Sequence, residues 1–89
     1  MLKPAETNRF WKDLNRVRKR GLDVEALKTI VKMLAAEETL PVKNRDYSLT
    51  GNWSKHRECH IAPDWLLIYR VEGEWLILER TGSHSDLFR

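Results

Sequence analysis

The chain has 89 residues, 42% of them apolar and 33% charged, which suffices for one core and excludes a second domain or a large internal cavity. Sixteen Lys and Arg against thirteen Asp and Glu give a net charge of +3, a balance that favours polyanionic partners. The longest apolar runs, WLLIY at Trp65 and WLIL at Trp75, are far below the roughly 20 residues a membrane-spanning helix requires.

Residues 1–89 are accordingly read as a single soluble domain with no membrane partner. The one cysteine, Cys59, excludes an intrachain disulfide and a thiolate metal cluster. No apolar signal segment follows Met1, so a reducing cytoplasm is the expected setting.

Met1 to Ala5 contains Pro4, which cannot donate to a sheet ladder, and reads as a short edge strand or lead-in. Phe10, Leu14 and Val17 then recur at helical spacing between a capping Thr7 and a terminating Gly21, predicting a helix over about Asn8–Arg20. Its other face carries Arg9, Lys12, Arg16 and Lys19. Asp23 caps a second stripe, Val24, Leu27, Ile30, Val31 and Leu34, predicting a helix over Val24–Ala36. So short a link folds the two helices into an αα-hairpin whose apolar faces need a third partner.

From Pro41 to Lys55 the composition is turn-like, with Asn44, Asp46, Ser48, Gly51 and Asn52. A loop of this length in a small domain is usually functional. Lys43, Arg45, Lys55, His56 and Arg57 make it a second basic stretch, after Arg9 to Arg20, able to touch phosphates. Glu58–Ile61, Leu66–Val71 and Trp75–Thr81 read as strands, separated by the turns Ala62-Pro63-Asp64 and Glu72-Gly73-Glu74. Short links make them an antiparallel meander. The central runs are apolar on both faces, so the helix pair covers one face and the loop and tail the other. The expected class is α+β, an amino-terminal helical hairpin packed on a small antiparallel β-sheet.

A meander brings the end of its first strand, the turn after it and the end of its third strand to one edge. His60, Asp64, Arg80 and the tail residue His84 then converge. Two imidazoles, a carboxylate and a guanidinium are what metal-free RNA transesterification needs: a base for the 2′-OH, an acid for the leaving 5′-oxygen and a cation for the phosphorane. Each residue also has a plainer reading, His60 and His84 as ordinary solvated or hydrogen-bonded histidines, Asp64 as a turn residue, and Arg80 as the partner of Glu79 in a weak surface pair. His56 reads as part of the basic loop. Two histidines and an aspartate also suit zinc, but His60 and Asp64 bracket a proline turn and no HxH pair exists. No metal and no other cofactor is therefore expected. Cys59 alternates with His60 and should face the core. Trp11 and Trp75 are expected in or beside the core, whereas Trp53, Trp65 and Phe88 either pack or stack on a base.

The run GNWSKHRECHIAPDWLLIYRVEGEWLILERTGSHSDLF resembles the YafQ branch of the RelE toxin family. The resemblance spans the chain, by pattern in the helices and residue by residue in two blocks, H-x-x-P-D-W-x-L-I-Y from His60 and E-R-T-G-x-H-x-x-L-F from Glu79. It implies a RelE-like fold, a type II toxin cutting messenger RNA in the ribosomal A site, and neutralisation by a cognate antitoxin in a hetero-oligomer. By position it makes His60, Asp64 and His84 the acid and base groups, with Asp64 or His60 as base and His84 as acid. Arg80 becomes a phosphate ligand, and Trp65 and Phe88 position substrate. Lys43, Arg45 and Tyr47 complete the expected substrate-binding set. Tyr47 is also a departure, since members often carry a histidine in the loop after Asp46, and a phenol of pKa about 10 is a poor base at neutral pH. That departure, with the basic first helix, leaves a non-catalytic module of the same fold as the alternative, gyrase-directed or nucleic-acid-binding.

Overall fold

Both predicted helices form where their caps place them in the computed structural model, which describes residues 1–88. Helix α1 spans Asn8–Lys19, and the Thr7 hydroxyl accepts from the Phe10 N–H at 3.0 Å. It ends because Gly21 takes φ +78°, letting the Gly21 and Leu22 N–H groups bond the Arg18 and Val17 carbonyls. Helix α2 spans Val24–Ala35, with the Asp23 carboxylate accepting from the Glu25 N–H.

Lys3–Glu6 is the first strand, β1. The others are β2 (Tyr47–Ser48), β3 (Arg57–Ala62), β4 (Trp65–Glu72) and β5 (Trp75–Gly82), and the sheet order is β1-β5-β4-β3-β2. The meander β3-β4-β5 is antiparallel, as expected. The sheet as a whole is mixed, because β1 adds in parallel beside β5, Lys3 opposite Trp75 through Glu6 opposite Leu78. The polar segment from Pro41 to Lys55 is not structureless. It holds β2 and two single 3-10 turns, Val42–Asn44 and Gly51–Trp53. The tail is not loose either: Ser83 and Asp86 close a capping box over a short helix α3, His84–Leu87.

Strand alternation divides the core between the two faces. Phe10, Leu14 and Val17 of α1 and Leu27, Ile30 and Leu34 of α2 pack on Cys59, Trp65, Leu67, Tyr69, Leu76 and Leu78. On the opposite face Leu66 and Ile68 are covered by Leu87, Leu49 and Trp53. Both faces of the central strands are thus capped, one by helices and the other thinly, by loop and α3. Burial raises the pKa of the Cys59 thiol to about 12, and the side chain faces the helices as alternation predicted. Two aromatic residues lie beside the core and not in it. Trp11 is 47% and Trp75 49% exposed, because Trp11 stands at the rim of α1 and Trp75 begins β5, where Lys3 lies over its ring.

Candidate active site

Cross-strand pairing lays the polar side chains of the thinly covered face in rows. Tyr47 pairs with Glu58, Glu58 with Ile68 and Ile68 with Arg80, while His60 pairs with Leu66 and Leu66 with Gly82. Directly opposed residues share a face, so Tyr47, Glu58, His60 and Arg80 all stand on it. The β3-β4 turn places Asp64 at the end of this face, and Gly82 hands the chain to α3, which carries His84 and ends at Phe88.

The chemistry is organised as two carboxylate–imidazole pairs. His84 Nδ1 lies 2.7 Å from Asp64 Oδ1, and the His84 backbone N–H donates to the same oxygen at 3.1 Å. Those two bonds hold the Asp64 carboxyl below the usual carboxylate range. His60 Nε2 lies 3.4 Å from Glu58 Oε2. The imidazole rings meet edge to face with centroids 5.6 Å apart, and the Phe88 ring lies 6.3 Å beyond His84. His60 and Glu58 are half-buried, whereas Asp64 and Phe88 are exposed.

Behind this pair of dyads is a scaffold of ion pairs. Pairing with β1 stops at Leu78, and beyond that point the Arg80 Nε and Nη2 donate to the Asp13 carboxylate of α1 at 2.7 and 2.9 Å. Asp13 is 2% exposed and also accepts from the Thr81 N–H, so its buried charge is fully compensated. Arg80 therefore pairs across the fold with Asp13, and not with Glu79, whose partners are Arg70 and His56. Arg20 grips Asp86 through two nitrogens at 2.6 and 3.0 Å, pushing that carboxyl far below its ordinary pKa and pinning α3. A third hub, Asp46, accepts from Arg57 Nε and from the Tyr69 hydroxyl at 2.7 Å, fixing the segment that carries Tyr47.

The substrate-binding expectations divide. Phe88 and Tyr47 present open rings. Lys43 and Arg45 line a cleft of about 400 Å³ with His60 and Pro63, built on Asn44, whose side-chain amide donates to the His60 carbonyl. Trp65 does not fit its expected role. It is 3% exposed and its indole N–H donates to the Thr81 hydroxyl in the core, which leaves no ring face for a base. Glu58, Asp86, Arg20 and Asp13 were not anticipated as site residues. The two-residue spacing of Glu58 and His60 was the signal available for the first. Asp86 had a local signal in the S-x-x-D capping spacing from Ser83, but its pairing with Arg20 and that of Asp13 with Arg80 join residues 66 or more apart, which no local pattern reveals.

A mixed sheet backed by two helices, with a shallow acid–base face opposite them, defines a small α+β protein suited to a large polyanionic ligand. The chain belongs to the YafQ family, bacterial toxins of type II toxin-antitoxin systems, whose model matches residues 2–89. Among relatives, the mRNA interferase toxin YafQ of Escherichia coli K12 is 36% identical over 83 residues, covering 92% of this chain and 90% of that protein. A copper-bound mutant toxin from Helicobacter pylori superposes with TM-score 0.95 at 41% identity, covering 99% of this chain and all of the other. YafQ in the E. coli DinJ-YafQ complex superposes with TM-score 0.91 at 33% identity over both full chains.

Proposed function

We propose that this chain is an endoribonuclease toxin that cleaves messenger RNA on the ribosome by general acid–base catalysis and is held inactive by an antitoxin protein. The observation that carries the reading is the juxtaposition of the two dyads, His60 with Glu58 and His84 with Asp64, across 5.6 Å between rings. A phosphodiester between two imidazoles can receive a proton on one side while losing one on the other.

The geometry supports one assignment of base and acid. Asp64 is ionised and committed to His84, so its role is to hold that ring and stabilise its protonated form. His60 is then the base, oriented by Glu58, and His84 the acid. His60 takes the 2′-OH proton as the 2′-oxygen bonds phosphorus. The phosphorus–5′-oxygen bond breaks, and His84 delivers its proton to that oxygen, leaving a 2′,3′-cyclic phosphate and a 5′-hydroxyl. Arg80, held by Asp13, leaves Nη1 of its guanidinium for the phosphorane charge. Phe88 stacks on a flanking base, and Lys43 and Arg45 bind neighbouring phosphates.

The face is shallow and open, so substrate must be presented in a fixed path, which the ribosome supplies; that target places the protein in the cytoplasm. In a translating extract, wild-type protein is expected to cut messenger within the A site, mapped by primer extension, and His84→Ala to abolish the cuts. Equal cutting by the variant sinks the assignment. Growth arrest that is identical for wild type and a His60→Ala/His84→Ala variant points instead to a binding module.

A further inference from the structure

Strand β2 is only two residues long, and its pairing with β3 ends where Tyr47 stands opposite Glu58. His60 therefore lies where the outer edge of β3 has no strand beside it. The His56 carbonyl bonds the Leu49 N–H across that edge, and along an extended chain every second residue turns its backbone groups the same way. The His60 carbonyl is thus aimed at the gap, and the Asn44 side chain fills it, with Nδ2 donating at 2.7 Å. On the inner edge the ladder is irregular just past His60: His60 pairs with Leu66 and Ala62 with Trp65, which leaves Ile61 as an extra residue. Bulges of this kind re-aim side chains beside active sites. A strand bulged on one edge and unpaired on the other would hold His60 loosely.

Asn44 is itself fixed. It is 6% exposed and ends a single 3-10 turn, in which the Asn44 and Arg45 N–H groups bond the Pro41 and Val42 carbonyls at 3.0 Å. Arg45 follows at φ +42°, a left-handed conformation unfavourable for a residue with a Cβ, and such strain persists only where surrounding contacts enforce it. Lys43 and Arg45 flank Asn44 on this turn, so the same hydrogen bond fixes the cleft they line beside His60.

We propose that Asn44 is a positioning residue for RNA cleavage: its amide takes the place of the missing strand, locks the peptide that carries His60, and so aims the imidazole at the 2′-OH. The proposal rests on the ribonuclease reading with His60 as base. A carbonyl oxygen accepts only from a donor, so the nitrogen of the amide is the end that serves. Alanine leaves that carbonyl without its partner. Aspartate, of nearly the same shape, presents an acceptor to an acceptor. Neither change touches the imidazole.

Single-turnover cleavage of messenger on programmed ribosomes separates positioning from binding. Asn44→Ala and Asn44→Asp are each expected to lower the saturated rate about 10- to 100-fold, the scale that a misplacement of about 1 Å can cost. The half-saturating toxin concentration should not change. Val17→Ala, which opens the core under α1, is the control: it lowers the melting temperature and keeps the rate wherever the fold is intact. In proton NMR of the free protein the His60 ring signals should shift in both Asn44 variants, because the ring moves relative to that of His84, and stay in place in Val17→Ala. Should one Asn44 variant not fold, the other carries the comparison. A wild-type rate in the Asn44 variants overturns the proposal. So does a slower rate with unmoved His60 signals, one that Val17→Ala reproduces, or a raised half-saturation in place of a slower rate. Wild-type protein that cuts no messenger removes the ribonuclease reading instead; shifted His60 signals then keep the Asn44 anchor, and unmoved ones remove it.

Discussion

Asp64 is the residue whose role the structure changes most. Its oxygen receives both the ring and the backbone N–H of His84, and a carboxylate so engaged is a poor proton acceptor but a good counter-ion. In a single-turnover pH profile, Asp64→Asn is expected to keep the limb set by the base, because Asp64 holds the His84 ring and does not take the 2′-OH proton. The rate at neutral pH should fall about 10- to 100-fold, within the range that positioned acids contribute. A profile that loses the limb set by the base would return Asp64 to that role. Trp65 illustrates the opposite case: an indole beside the site whose N–H is used in the core, so substitution there acts through stability.

Among the elements, α3 depends most on distant contacts. Four residues do not make a stable helix. This one is held by the Ser83–Asp86 capping box and by Arg20, and Gly82 precedes it because a Cβ there would meet the Asp86 carboxylate at 2.8 Å. The depressed Asp86 pKa carries a sign. The stabilisation is complete above the unfolded value of about 3.9 and is lost as pH falls through the folded value below it. Asp86→Ala should therefore lower the melting temperature by about 4–8 °C at pH 7, if cap and ion pair together contribute about 1 kcal/mol. The difference from wild type should narrow as pH drops below about 4. Cleavage should fall as well, because His84 is the first residue of the helix that Asp86 anchors. An unchanged cleavage rate alongside the lower melting temperature would detach α3 from catalysis.

At the scale of the molecule the sheet separates two surfaces. Opposite the acid–base face, Phe10, Trp11, Leu14, Val24, Leu27 and Val31 line an apolar groove of about 340 Å³ rimmed by Arg18, Lys28 and Lys32. An acidic amphipathic segment of the antitoxin fits both its lining and its charge. Trp11→Ala is expected to weaken antitoxin binding by about 2 kcal/mol, the loss of a typical aromatic anchor, while leaving free-toxin cleavage unchanged; undiminished affinity would place the antitoxin elsewhere. The helices, the meander and the class of fold were legible because periodicity and capping residues are local. His60, Asp64 and His84 were legible because two short turns carry them to one edge. What sequence did not disclose depends on pairings between remote residues: β1 beside β5, Arg80 on Asp13, Arg20 on Asp86, and the burial of Trp65. Glu58 is the exception, since its spacing from His60 was visible and was passed over.

The burial of Cys59 gives this fold an internal clock. With a pKa of about 12, its thiolate is on the order of 10⁻⁵ of the population at neutral pH, and the helices close off access from one side while β4 and the neighbouring strands flank it. A thiol-directed dye can then react only when the sheet parts from α1 and α2. The rate of labelling therefore reads the frequency of that opening, without any introduced probe. Antitoxin seated on the helices should slow it, and a ligand confined to the acid–base face should slow it only as far as it stabilises the whole sheet.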